Sequence, residues 1–247
     1  MKLIMEEISL IIRFKNRTLT VREYIEFSKR ILIKLENLHP IFQNLFGWGH
    51  DTNLFSNSNL DKNNFEEIVF HQINDKDVAY DNVDVNDKNM HWNSTSWIDF
   101  SNSYSNTKKY EEGQITVKIS CGGTVSKTGS LIIDFPNYNY PEFKNYSFVS
   151  NLMKICIGFF DTVEYAVIIS NLFRKKVRSE KTKMWIGWIT YVPNISVFNM
   201  LPSFIHKEYI NEGVLFSISE TPPLIDNRDV EIAIGIRNEL VMCGILS

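Results

Sequence analysis

MWIGWITYVP, residues 184–193, alternates: Met184, Ile186, Trp188 and Thr190 project one way, and Trp185, Gly187, Ile189 and Tyr191 the other. Period-two alternation of β-branched and aromatic residues is the pattern of a strand. Both sets are mostly apolar, so both faces are covered, which suits a central strand better than an edge. Gly187, between two tryptophans, implies a close approach by a neighbouring layer. Pro193 and Asn194 end the strand, and a core is expected to form around it.

The chain around this strand has 247 residues, enough for one large domain or two small ones with a sizeable core. Its composition, 44% hydrophobic and 22% charged, is that of a globular protein, and its net charge of −3 argues against a polyanion binder. Cys121, Cys156 and Cys243 form no CxxC pair, so they read as buried free thiols rather than a disulfide framework or zinc site. The first residues, MKLIMEEISL, carry acids where a signal peptide needs an apolar core. No run reaches the roughly 18 apolar residues of a membrane span. The expectation is a soluble, cytoplasmic protein that makes no membrane contact.

Upstream, Ile4 to Phe14 alternates as a first strand, with Ile8, Leu10 and Ile12 on one face. Thr20-Val21-Arg22-Glu23 has the form of a capping box. Apolar residues at helical spacing follow, from Val21 and Tyr24 to Leu35 and Leu38, and Pro40 stops the helix. The segment 39–51 (HPIFQNLFGWGHD) reads as a short helical turn broken at Gly47 and Gly49, with Trp48 laid over the core. An Asn- and Ser-rich loop fills 53–64, and a short helix is predicted over 65–73. Thr95–Ser103 alternates around Trp97 and Phe100. Gln114–Cys121 and Ser130–Phe135, linked through Gly122-Gly123, make an antiparallel hairpin.

The second half repeats this order. Tyr146–Phe160 has helical spacing, and Thr162–Leu172 reads as a strand. Arg174 to Lys183 carries six cations against Glu180 and reads as an exposed loop or hairpin tip. Gly213–Ser219 is a further strand, and Asp226–Leu240 a closing helix capped by Asp226 or Asn227. The fold class is α+β, a mostly antiparallel sheet or sheets packed by helices. A single domain over 1–247 either divides into two similar lobes, 1–140 and 141–247, or carries one continuous sheet.

No GxSxG, Walker loop, GxGxxG or HExxH occurs, and no two of the five histidines stand at i,i+3 or i,i+4. His50-Asp51 is the nearest approach to an acid–base pair, and Cys121 before Gly122-Gly123 the nearest to a nucleophile at a tight turn. A site near His50, Asp51 and Cys121 is the enzymatic alternative. The basic 174–183 run with Trp185 is the nucleic-acid-binding alternative, which the net charge makes the weaker. No cofactor or metal is expected.

Several stretches, taken in order, resemble the immunity protein 52 family, the protective partners of bacterial polymorphic toxins. They are the helix ending in HPIF and running into FGWG, ISCGG at 119–123, IGWITYVP at 186–193, EGVLFSISE at 212–220 and DNRDVEIAIGIRNEL at 226–240. The likeness spans nearly the whole chain through order and spacing. The resemblance implies a non-catalytic protein that binds and neutralises a cognate toxin delivered by type VI or related secretion, often a nuclease of the restriction-endonuclease type.

The long acidic insert near 74–94 and the asparagine-rich loops depart from the family pattern, and from Asp61 to Trp92 there are eight acids against three lysines. The charge of that stretch suits the cationic cleft of a nuclease. The interface is therefore expected there, with Asp75, Asp77, Asp81, Asp84 and Asp87 supplying charge and Tyr80 and Trp92 acting as aromatic anchors.

Overall fold

A computed structural model describes residues 7–43, 45–48, 65, 99–107, 113–136, 139–180, 182, 184–223 and 227–246. The strands among them are β1 (Ile8–Lys15), β2 (Phe46–Trp48), β3 (Phe100–Ser105), β4 (Thr116–Cys121), β5 (Thr128–Asp134), β6 (Val163–Ser170), β7 (Ile189–Val192), β8 (His206–Ile210) and β9 (Gly213–Ser217). The α-helices bounded within the described residues are α1 (Val21–Glu36), α2 (Tyr146–Ile157), α3 (Asn171–Val177), α4 (Val197–Met200) and α5 (Asn227–Met242). The strands form one sheet in the order β2-β3-β4-β5-β1-β6-β7-β9-β8. Pairs β2–β3, β3–β4, β6–β7, β7–β9 and β8–β9 are antiparallel, and the fold is α+β. The chain divides into two units: residues 14–133, and residues 134–247 together with the N-terminal segment 1–13.

In the 14–133 unit, α1 forms because the capping box predicted from Thr20 and Glu23 is made. Glu23 N–H donates to Thr20 Oγ1 at 3.2 Å, and Thr20 N–H donates to Glu23 Oε2 at 2.8 Å. The helix buries Val21, Tyr24, Ile25, Ile31, Leu32 and Leu35, and each large aliphatic side chain so buried contributes about 2 kcal/mol. Tyr24 stacks on Phe100 and donates its hydroxyl to the Ile119 carbonyl at 3.0 Å, tying helix to sheet. The Gly122-Gly123 turn is clipped by Asn16. Its Oδ1 accepts from Gly122 N–H at 2.8 Å, and its Nδ2 donates to the Gly123 and Ser126 carbonyls. Gly122 has φ +93°, a conformation that favours glycine, so ISCGG is a structural motif.

The segment 39–51 differs from expectation. Pro40–Phe42 does form a single 3-10 turn, but Phe46–Trp48 is a strand paired with β3, with Gly47 opposite Tyr104. The predicted loop at 53–64 and the rest of the helix at 65–73 lie outside the described residues, apart from Phe65, which is helical and buried. Residues 95–98 of the predicted strand also lie outside them, and β3 starts at Phe100.

In the other unit the opening stretch is a central strand, but a shorter one. Only Ile189–Val192 joins the ladder, between β6 and β9. The physical reason is local: backbone groups before residue 189 are taken by side chains. Gly187 N–H donates to Thr190 Oγ1 at 3.0 Å, and Trp185 N–H donates to the Tyr165 hydroxyl at 2.9 Å. The Trp188 carbonyl accepts from Ser217 Oγ and from Ile218 N–H. The close approach predicted at Gly187 is present and comes from β6. A Cβ there would fall on the Ile168 carbonyl oxygen and 2.5 Å from Val167 Cγ2. Trp188 is 1% exposed and donates its indole N–H to the Ser219 carbonyl.

The basic run is not a loop at its start. Ser170 Oγ caps α3 by accepting from Phe173 N–H, and Phe173 and Val177 at i,i+4 are buried. That leaves Arg174, Lys175 and Lys176 on the outer side near the helix C-terminus, where cations are favoured. In α5 the buried residues include Ala233, Ile236, Arg237 and Leu240, and Arg237 Nη1 donates to the Val177 carbonyl at the end of α3.

Candidate binding surface at α2 and β8

Asn145 caps α2 by accepting from Phe148 N–H, and one helical row then carries Tyr146, Ser150 and Lys154 at i, i+4 and i+8. Strand β8 lies at the end of the sheet order, and its alternate residues His206 and Glu208 share one face. Between these rows lies an open groove of about 960 Å³. The Tyr146 ring meets His206 edge-on at 5.2 Å, and Lys154 Nζ pairs with Glu208 Oε1 at 2.6 Å. The opposite face of β8 is tied down: Lys207 Nζ donates to the Phe198 and Leu201 carbonyls, and Tyr209 stacks on Phe198 at 4.2 Å.

The Tyr146 hydroxyl is buried with no hydrogen-bond partner among the described residues. Burial first, then the Glu208 carboxylate, pushes its pKa up to about 12, so it remains a neutral donor at physiological pH. An unpaired buried donor carries a desolvation cost that an acceptor on a bound partner would relieve.

Of the residues singled out from sequence, His50, Asp51, Asp75, Asp77, Tyr80, Asp81, Asp84, Asp87 and Trp92 lie outside the described residues. Cys121 is 2% exposed within β4, and burial pushes its thiol well above the ordinary range, which is the reverse of an activated nucleophile. Cys156 is buried and likewise raised, whereas Cys243 is exposed, contrary to the expectation of three buried thiols. Among the described residues no group of three His, Cys, Asp or Glu side chains stands where it could hold a metal ion. No helix among them is long and apolar enough to cross a membrane.

Trp185 is half-buried beside two guanidinium groups. Arg13 of β1 lies 5.8 Å and Arg174 of α3 lies 5.4 Å from the centre of its ring. The Tyr165 hydroxyl holds the Trp185 main chain, accepting from its N–H and donating to its carbonyl.

Sequence reasoning missed β8 and with it the groove. The signal was present in HKEYI, where His206 and Glu208 alternate with Lys207 and Tyr209 ahead of an Asn211-Glu212-Gly213 turn. Asn211 takes φ +50° in that turn.

The protein is thus an α+β chain with a long antiparallel sheet. No protein-family model and no curated protein matches it. Among solved structures, its fold is similar to that of the Pseudomonas aeruginosa T6SS protein PA0821. The TM-score is 0.56 at 13% sequence identity, over 97% of this chain and 76% of that one.

Proposed function

We propose that this chain is an immunity protein that binds a cognate toxin secreted by a type VI or related system and neutralises it without catalysis. The observation that carries the reading is the fold likeness over 97% of the chain to a protein named for the type VI system. The ordered stretches resembling the immunity protein 52 family support it. So do the deep burial of Cys121 and a groove whose one strongly shifted phenol is a donor, not a base.

The toxin is proposed to be a nuclease, which the chain blocks in the cytoplasm of the producing cell. A nuclease must gather cations around phosphate, and the 61–92 stretch of this chain carries a net −5 from eight acids and three lysines. Asp75, Asp77, Asp81, Asp84 and Asp87 supply attraction in this reading, and Tyr80 and Trp92 the buried anchors that slow dissociation.

The test is co-purification with the toxin encoded beside this chain. A stable complex that survives gel filtration is expected. Charge reversal at Asp75, Asp81 and Asp84 together should weaken it, mainly by slowing association. Failure to co-purify with the wild-type chain would sink the proposal, whereas unchanged affinity in the triple variant would move the interface elsewhere.

A further inference from the structure

Arg13, Trp185 and Arg174 combine features that the fold does not use up. Both guanidinium groups lie within cation–π reach of one indole. Neither is paired with a carboxylate among the described residues. Each is half-buried. The Trp185 main chain is held by two hydrogen bonds with the Tyr165 hydroxyl, whose ring is fully buried in β6. An arginine laid on an aromatic ring keeps its edge N–H donors free and loses little further entropy on binding. The adjoining Lys175, Lys176 and Arg178 are exposed and extend the positive field.

The geometry points to this Arg–Trp–Arg cluster as a second contact site for the toxin, taking an Asp- or Glu-bearing surface of that protein. The inference rests on the proposed function and adds the chemistry of a partner surface opposite in sign to the one that the 61–92 stretch would meet. A carboxylate forms two parallel hydrogen bonds with a guanidinium, and two such groups held near one ring make a compact, specific contact. Tryptophan and arginine are also the residues that dominate protein–protein binding energy.

Nucleic acid fits less well. The chain carries a net charge of −3 and a pI near 6.0, which opposes approach of a polyanion. Guanidinium lies over the Trp185 ring, on which an unpaired base would otherwise stack.

The experiment measures binding of the catalytically inactivated toxin encoded beside this chain to wild type, Arg174→Gln and Arg13→Gln/Arg174→Gln, with circular dichroism as a folding check. The double variant is expected to bind roughly 100-fold more weakly, and Arg174→Gln alone to show part of the loss. Arg174→Glu should regain affinity when an Asp or Glu on the toxin is changed to Arg. The single variants at half-exposed Arg174 keep the test decisive if the double variant does not fold. Equal binding by wild type and folded variants would overturn the cluster and leave the immunity reading standing. No binding by wild type would overturn both. A short DNA duplex bound at low salt by wild type but not by the variants, with toxin binding unchanged, would reassign the cluster to nucleic acid and overturn the inference.

Discussion

Gly187 shows how one residue shapes the centre of the sheet. With the Ile168 carbonyl oxygen and Val167 Cγ2 where a Cβ would stand, Gly187→Ala requires β6 and the lead-in to β7 to separate. A loss of about 2 kcal/mol is expected, read as a lower midpoint in urea denaturation. An unchanged midpoint would mean that the two segments are not in contact. The cysteines give a second check at this scale. Cys121 and Cys156 are buried with raised thiols, and Cys243 is exposed, so only Cys243 should react with a thiol reagent in the native state. Rapid modification of all three would contradict the packing of β4 and α2. Gly187 was legible in the sequence because an uncovered backbone between bulky residues has few other uses. The exposure of Cys243 was not, since its neighbours are as apolar as those of a buried thiol.

Helix α1 was the most legible element, because its start signal is chemical and local. Thr20→Ala should cost about 1 kcal/mol, through loss of the cap to Glu23 N–H. Glu23 also sets a pH dependence. Hydrogen bonding to the Thr20 backbone and then to its hydroxyl holds the Glu23 pKa below the reference value of 4.5. A carboxyl lowered on folding contributes stability that is fully present above the unfolded value and is lost as pH falls through the folded one. The stability difference between wild type and Glu23→Gln should therefore be largest well above 4.5 and shrink in acid. A constant difference across that range would argue against the capping box.

Elements decided by tertiary partners were read less well. The lead-in at 184–188 alternates like a strand, yet its backbone N–H groups donate to the Tyr165 and Thr190 hydroxyls and are diverted from the ladder. In α3 a run of cations hid the two buried positions, Phe173 and Val177, that make it a helix. Strand β8 is short and polar because it ends the sheet, and that polarity kept it from standing out in the sequence.

Across the whole molecule, buried phenols set the alkaline limit. Burial raises the pKa values of Tyr24, Tyr104 and Tyr165 and carries Tyr146 to about 12. A group raised on folding contributes stability that is fully present below its unfolded value, here 10.0, and is lost as pH rises through the folded one. Stability should hold up to about pH 10 and then fall steeply, with tyrosinate absorbance appearing together with unfolding. Tyrosinate forming fully before any unfolding would contradict the buried placement. The α+β class was readable from the alternating strands and capped helices. The joining of residues 1–13 to residues 134–247 was not, because nothing local in β1 names its partners.

The central claim, neutralisation of a toxin, is tested most directly by growth. Cells induced to make the neighbouring toxin in their cytoplasm would be followed with and without this chain. The account predicts that the chain restores growth, and that Arg13→Gln/Arg174→Gln restores it less well at equal abundance. Continued killing in cells that accumulate the folded wild-type chain would contradict the account.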